Sequence, residues 1–274
     1  MTLASAHEFR IGDVIGQSFQ TTIRNIIPFG VLAIITVVIM VILYLIIGAI
    51  FGLSMASMTP GSMESGMGAP AIGVGFIVGI LVFELLSLAV YLGFMTAITY
   101  GTIQDLRGQP VGIGTLLQSS IALVVPAIGT FVVLIGVFLA AAVVAIILNF
   151  IPILGQIAVL VMVVFLYIIF WVVIPVAVIE RPGPVASLKR SIALTQGNRW
   201  KILGVFLVLF GIVLGGVLIA VIFSFISATI GGILVALLYV ALGIYGAVLV
   251  AVGYHRLRAS KEGADIGELA RVFD

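Results

Sequence analysis

The stretch "IIPFGVLAIITVVIMVILYLIIGAIFGL", residues 26–53, decides the fold, because it contains no charged side chain along its whole length. About 20 consecutive apolar residues are enough for a helix to cross a bilayer. In lipid every backbone N–H and C=O must be bonded within the chain, so a single spanning segment of this kind is a helix. The stretch therefore predicts a transmembrane helix.

Five more apolar runs predict transmembrane helices at about 71–100, 123–148, 153–179, 202–227 and 231–255. The composition of the 274-residue chain agrees, since 63% of its residues are hydrophobic and 8% are charged. A soluble domain carries about 25% charged residues. The fold class predicted from the sequence is an all-α membrane protein with six transmembrane helices, forming a single polytopic domain over residues 1–274.

The positive charges predict the orientation of these helices. All 12 Lys and Arg residues precede the first run, follow the sixth, or lie between the second and third or the fourth and fifth. The loops on the opposite side contain one charged residue, Glu64. Cytoplasmic loops are enriched in Lys and Arg, so we expect both termini on the cytoplasmic side. Charged residues before the first run also argue against a signal peptide.

Short segments that lead into the runs share a pattern. The tetrapeptide "SIAL" occurs at 120–123 and at 191–194. Apolar residues at i, i+3, i+4 and i+8 form one helix face in the first two segments: Ile11, Val14, Ile15 and Phe19, then Ile113, Leu116, Leu117 and Ile121. In the third segment Leu188 and Ile192 match, and Ser187 replaces an apolar residue.

This pattern predicts three cytoplasmic interfacial amphipathic helices, each followed by two spans, in a pseudo-threefold repeat. The repeat units cover about 8–100, 110–180 and 183–257. They are followed by a cytoplasmic tail, 258–274, in which we expect one more short helix. Glycine pairs at 48 and 52, 75 and 79, and 211 and 215 predict close helix–helix contacts.

Residues suited to catalysis or metal binding are scarce. The chain has no cysteine, and its two histidines, His7 and His255, are far apart in sequence. We therefore expect no metal site, no cofactor and no enzymatic activity. A net charge of +2 is too small for a nucleic-acid-binding protein.

Glu84 is the candidate intramembrane functional residue, since it falls near the middle of the second span with no Lys or Arg at that depth in any span. A carboxylate inside the membrane is costly and marks a possible functional site. We expect it to be protonated, to be hydrogen-bonded to a neighbouring group, or to face water. It would act either as a proton or cation relay or as a packing residue that fixes helix register.

The segment "RPGPVASLKRSIALTQGNRWKI", residues 181–202, carries five cations: Arg181, Lys189, Arg190, Arg199 and Lys201. Lys and Arg beside an anionic leaflet contribute about 1 kcal/mol each to membrane binding. The cluster predicts either recognition of anionic lipid headgroups on the cytoplasmic side or an orientation signal alone.

Three stretches resemble one bacterial family, the glycerophosphoryl diester phosphodiesterase membrane domain. They are "TAITYGTIQDLRGQPVGIGTLLQSS" (96–120), "GPVASLKRSIALTQGNRWKILGVFLV" (183–208) and "YHRLRASKEGADIGELARVFD" (254–274). The resemblance covers nearly the whole chain. It implies a multi-pass protein of the bacterial inner membrane. Some relatives also carry a soluble phosphodiesterase domain, whose carboxylate and histidine cluster has no counterpart in these 274 residues. The resemblance therefore implies no hydrolase activity here.

The function predicted from the sequence is that of a non-enzymatic inner-membrane protein, a scaffold or accessory module. Its expected partners are membrane lipids, and also another membrane protein or a second copy of the chain. The alternative is a small transporter or channel that uses Glu84.

Overall fold

The computed structural model describes residues 9–56 and 69–262. The predicted tail helix therefore lies outside the described residues, as does Glu64. The helices are α1 (Ile11–Arg24), α2 (Ile26–Ala56), α3 (Ala69–Leu106), α4 (Ile113–Leu148), α5 (Leu154–Ile169), α6 (Pro184–Thr195), α7 (Arg199–Ile226) and α8 (Ala228–Glu262). Between α5 and α6 the chain forms a helical turn, Val173–Pro175, and a π-helical turn, Val176–Glu180.

Six segments are long and apolar enough to cross a membrane, which confirms the prediction of a multi-pass helical membrane protein. They lie in α2, α3, α4, α7 and α8 and in the segment Leu154–Glu180, which contains α5 and the two turns after it. The order of the elements along the chain agrees with the six runs read from the sequence.

Two of the three predicted interfacial helices, α1 and α6, are separate elements. The second segment, 113–122, differs from the prediction, because it forms the first turns of α4 without a break. The reason is local, since residues 115–125 contain neither glycine nor proline to end a helix. As a result α4 is 36 residues long and extends over about 54 Å at 1.5 Å per residue.

The buried face of α1 is more polar than predicted. Val14 is fully buried and Ile11 and Ile15 pack partly against the core, but Phe19 is 59% exposed. Small hydroxyl side chains complete the buried face: Ser18, Thr21 and Thr22. Two of these hydroxyls donate to the carbonyl four residues earlier, so their polar atoms are satisfied within the helix.

The core lies at one end of the bundle. It joins residues of α1, the start of α2, the end of α3, the start of α4, the segment after α5, the start of α7 and the end of α8. The Lys and Arg residues of the described part of the chain flank these same helix ends, and we call this the basic end. Toward the far end most apolar side chains are exposed, and the few buried residues include Gly155, Ala220 and Gly231.

Two of the three predicted glycine pairs are not close helix contacts, and the pair at 75 and 79 lies partly outside the residues whose surroundings the structure describes. A Cβ added at Gly48, Gly52, Gly211 or Gly215 would meet nothing within 4 Å, so these pairs are not contact sites within the chain. The tight positions are others. Gly101 and Gly253 lie against core side chains at the basic end, and Gly155 and Gly231 close the two hairpin turns at the far end. These four positions have no room for a larger side chain.

Candidate functional site

Five charged and polar side chains at the basic end form a closed ring of hydrogen bonds, which we call the ion network: Glu180, Arg190, Tyr254, Arg258 and Glu262. Arg190 donates from Nε to Oε2 of Glu180 at 2.9 Å and from Nη2 to Oε1 at 3.4 Å. The Tyr254 hydroxyl donates to Oε1 of the same carboxylate at 2.9 Å. Glu180 therefore connects the end of the fourth span to both α6 and α8.

Glu262 closes the ring from the end of α8. Its Oε1 accepts a hydrogen bond from Nη2 of Arg190, and its Oε2 accepts one from Nε of Arg258 at 2.8 Å. Arg258 also donates from Nη1 to the Tyr254 hydroxyl at 3.3 Å. Two guanidinium groups and two carboxylates thus balance in charge.

The ion network is half-buried, and its hydrogen bonds favour the charged form of Arg190. The side chains of Arg190, Glu180 and Glu262 are 31%, 18% and 30% exposed. The hydrogen bond to Glu262, and then that to Glu180, raises the pKa of the Arg190 guanidinium above its usual value against the opposing effect of burial. Arg190 is therefore paired with two protein carboxylates, which neutralise its charge and leave it a poor partner for a lipid headgroup.

A second set of polar contacts holds α1 in place. Arg24, at the end of α1, donates from Nε to Oδ1 of the buried Asp105 at 2.8 Å, and a second bond joins its Nη2 to Oδ2. Hydrogen bonding to Asp105 raises the pKa of the Arg24 guanidinium. Arg256 of α8 donates to Oε1 of Gln17 at 2.8 Å. These bonds connect α1 to the ends of α3 and α8.

A groove of about 260 Å³ lies beside the turn between the fourth span and α6, and we call it the Arg181 groove. Tyr100 of α3 forms one wall, and α4 forms the other. Its lining residues on α4 are Thr115, Gln118, Ser119, Ala122 and Leu123. The groove is polar where α4 begins and becomes apolar toward Leu123, and no carboxylate lines it.

Arg181 enters the groove from a strained backbone position. Its φ of 51° is left-handed, a conformation that is uncommon for residues other than glycine. This conformation ends the π-helical turn, with the Arg181 N–H donating to the Val176 carbonyl at 3.2 Å. The side chain is exposed, and its Nε makes a long bond of 3.4 Å to the Val178 carbonyl. Within the described part of the chain Arg181 forms no ion pair.

The structure separates the five cations of residues 181–202. Arg190 belongs to the ion network, Arg181 lines the groove, and Lys189 is exposed on α6. The Arg199 guanidinium lies over the Phe165 ring, 5.1 Å from its centroid, and Lys201 is half-buried in the first turn of α7. Their contacts differ from one cation to the next, and Arg181 lines the groove.

Glu84 lies on an exposed face of α3, away from the core. Four of its neighbours on α3 are exposed apolar residues, Leu81, Val82, Leu85 and Leu86, and Ser87 lies three residues after it. The Arg181 groove does not include it. The structure therefore brings Glu84 together with none of the other predicted site residues.

Sequence reasoning missed four members of the ion network: Glu180, Tyr254, Arg258 and Glu262. A signal existed for one pair, since Arg258 and Glu262 have the i,i+4 spacing of a helical ion pair. Tyr254 and Arg258 share that i,i+4 spacing, whereas the other bonds join residues 72 and 74 positions apart or connect α6 to the preceding turn. A single sequence carries no pattern that pairs residues at such separations.

Comparisons of the chain with protein families, with characterised proteins and with solved structures find no match. The resemblance carried by the three quoted stretches stays a prediction.

Proposed function

We propose that this protein is a non-enzymatic protein of the bacterial inner membrane, with both termini in the cytoplasm, and that it serves as a scaffold that binds anionic phospholipid on the cytoplasmic side. One observation carries the proposal. The described Lys and Arg residues flank the helix ends where the core lies, whereas the apolar helices beyond that end are largely exposed.

This distribution of charge and burial matches the chemistry of a phospholipid leaflet. Juxtamembrane cations favour anionic headgroups, and exposed apolar helix surface favours acyl chains. The indole of Trp200, 84% exposed at the start of α7, has the environment that tryptophan favours at the headgroup level. Phe19 and Ile23, four residues apart on α1, are also exposed, which suits an interfacial helix.

The proposed lipid preference can be measured on the purified protein. Native mass spectrometry in a mild detergent should show phosphatidylglycerol retained at least about fivefold more tightly than phosphatidylethanolamine, which corresponds to about 1 kcal/mol from a single juxtamembrane cation. The protein without added lipid provides the baseline. Equal retention of the two lipids would contradict the proposed function.

The proposed orientation can be tested with single cysteines, because the natural chain has none. In intact cells an impermeant thiol reagent should label Asn149→Cys, which is exposed in the turn between α4 and α5. It should label Lys189→Cys, exposed on α6, only after the membrane is opened. The reverse labelling pattern would place the basic end outside the cytoplasm.

The predicted pseudo-threefold repeat gains support from equivalent positions in its three units. Val14, Leu116 and Ser187 occupy the same place in the pattern, and each is fully buried. A serine lies seven residues after the first residue of α1, α4 and α6, at positions 18, 120 and 191. We propose that the three units descend from one helix-and-hairpin element, with the second unit fused into α4.

A further inference from the structure

We propose that the Arg181 groove is a binding site for the phosphate group of a phospholipid whose headgroup carries no positive charge. The inference rests on the proposed function and deepens it, because it names the residue and the chemical group that are recognised. The groove holds Arg181 and lies between α3, α4 and the turn before α6.

The polar part of the groove offers donors to a phosphate. Arg181 keeps its guanidinium exposed and forms no ion pair among the described residues, and Gln118 is exposed on the facing wall. Tyr100 lines the same space. By contrast, the hydroxyls of Thr115 and Ser119 already donate to backbone carbonyls at 2.7 and 2.8 Å. A guanidinium with fixed geometry is the side chain best suited to phosphate oxygens.

One face of α4 continues from the groove into exposed apolar surface. Gln118 and Ala122 line the groove, and Ile121 and Val125 follow on the same side of the helix at three- and four-residue spacing. Ile121 is 77% exposed and Val125 is 71% exposed. A molecule with a phosphate at Arg181 can therefore lay an acyl chain along α4, which favours a phospholipid over a free phosphate ion.

The charges around the groove select between headgroups. The nearest carboxylate in sequence, Glu180, is held by Arg190 and Tyr254 on the side of the ion network. No carboxylate lines the groove to accept an ammonium group. Phosphatidylglycerol therefore fits this charge distribution, whereas phosphatidylethanolamine would bring an ammonium group that finds no partner.

The test is a titration of phosphatidylglycerol into the full-length protein in mild detergent, followed by native mass spectrometry. Arg181→Gln should weaken the tightest phosphatidylglycerol site about tenfold, the effect of losing a hydrogen bond to a charged group. Arg181→Lys should restore part of the affinity because it keeps the charge. Lys189→Gln, which removes an exposed charge eight residues away, is the matched control and should change the affinity less than about twofold.

The outcomes separate the two proposals. If the wild-type protein prefers phosphatidylglycerol and Arg181→Gln binds it equally well, the groove is not the site, although the proposed function stands. If the wild-type protein shows no preference, the proposed function itself fails. Displacement of the lipid by millimolar inorganic phosphate or glycerol phosphate would identify a soluble phosphate as the ligand and overturn the lipid assignment. The thermal unfolding midpoint of each variant shows whether Arg181→Gln folds as the wild type does.

Discussion

Replacing Arg190 by methionine is expected to destabilise the protein by about 2–3 kcal/mol, because it leaves the carboxylates of Glu180 and Glu262 without their shared partner. Both carboxylates are more than two-thirds buried, so water restores only part of what the guanidinium supplied. For a protein of this size the midpoint of thermal unfolding should fall by roughly 5–10 °C. The measurement is thermal unfolding in mild detergent.

The neighbouring variant Lys189→Met is the control, since it removes the same charge from an exposed position on the same helix. Adding Glu180→Gln to Arg190→Met should recover part of the loss, because Glu180 is the carboxylate left without a cation, whereas Glu262 keeps its ion pair with Arg258. Equal unfolding midpoints for Arg190→Met and Lys189→Met would show that the ion network does not stabilise the basic end.

Gly253→Ala is expected to lower stability by about 2 kcal/mol relative to Gly246→Ala, a second substitution of the same kind on α8. A Cβ at Gly253 would lie 2.8 Å from Cζ3 and 3.0 Å from Cζ2 of Trp171, and closer still to Cη2. The ring has little room to move, because the rings of Phe9 and Phe206 pack against it with centroids 6.5 and 5.6 Å away.

The comparison with Gly246 removes the effect of helix propensity, which is the same at both positions. A Cβ at Gly246 would meet nothing within 4 Å, so Gly246→Ala should stabilise α8 by about 0.5–1 kcal/mol. Trp171 reports unfolding by its fluorescence once the exposed Trp200 is replaced by phenylalanine. If the two alanine variants unfold at the same temperature, Trp171 does not constrain the packing of α8.

The existence of the six spans could be predicted from the sequence, and their ends could not. An apolar run in lipid must satisfy its own backbone, so its length alone identifies a helix. The helices continue past the apolar run into polar residues, because nothing at the boundary stops them. The clearest instance is α4, which was predicted to begin near residue 123 and begins at Ile113. Loss of hydrophobicity therefore does not determine where α4 begins.

The site was less predictable than the fold. In a helix that is apolar on every face, no periodicity marks the side that will be buried. The sequence therefore could not place the core at the basic end or expose Glu84 on α3. It identified Arg181, Lys189 and Arg190 as one cluster, although three different environments separate them. The environment of Arg190 depends on Glu262, 72 positions later in the chain, and that of Arg181 on groove residues such as Gln118, 63 positions earlier.

The bonds that hold α1 have a consequence for the timing of assembly. Arg256 and Gln17 are 239 positions apart, and the Tyr245 hydroxyl donates to the Ile15 carbonyl across 230 positions. Synthesis at about 5–20 residues per second separates the two partners by roughly 10–50 s. During that interval α1 lacks these two partners, while the spans between α1 and α8 are synthesised. The synthesis of α8 completes the docking surface of α1.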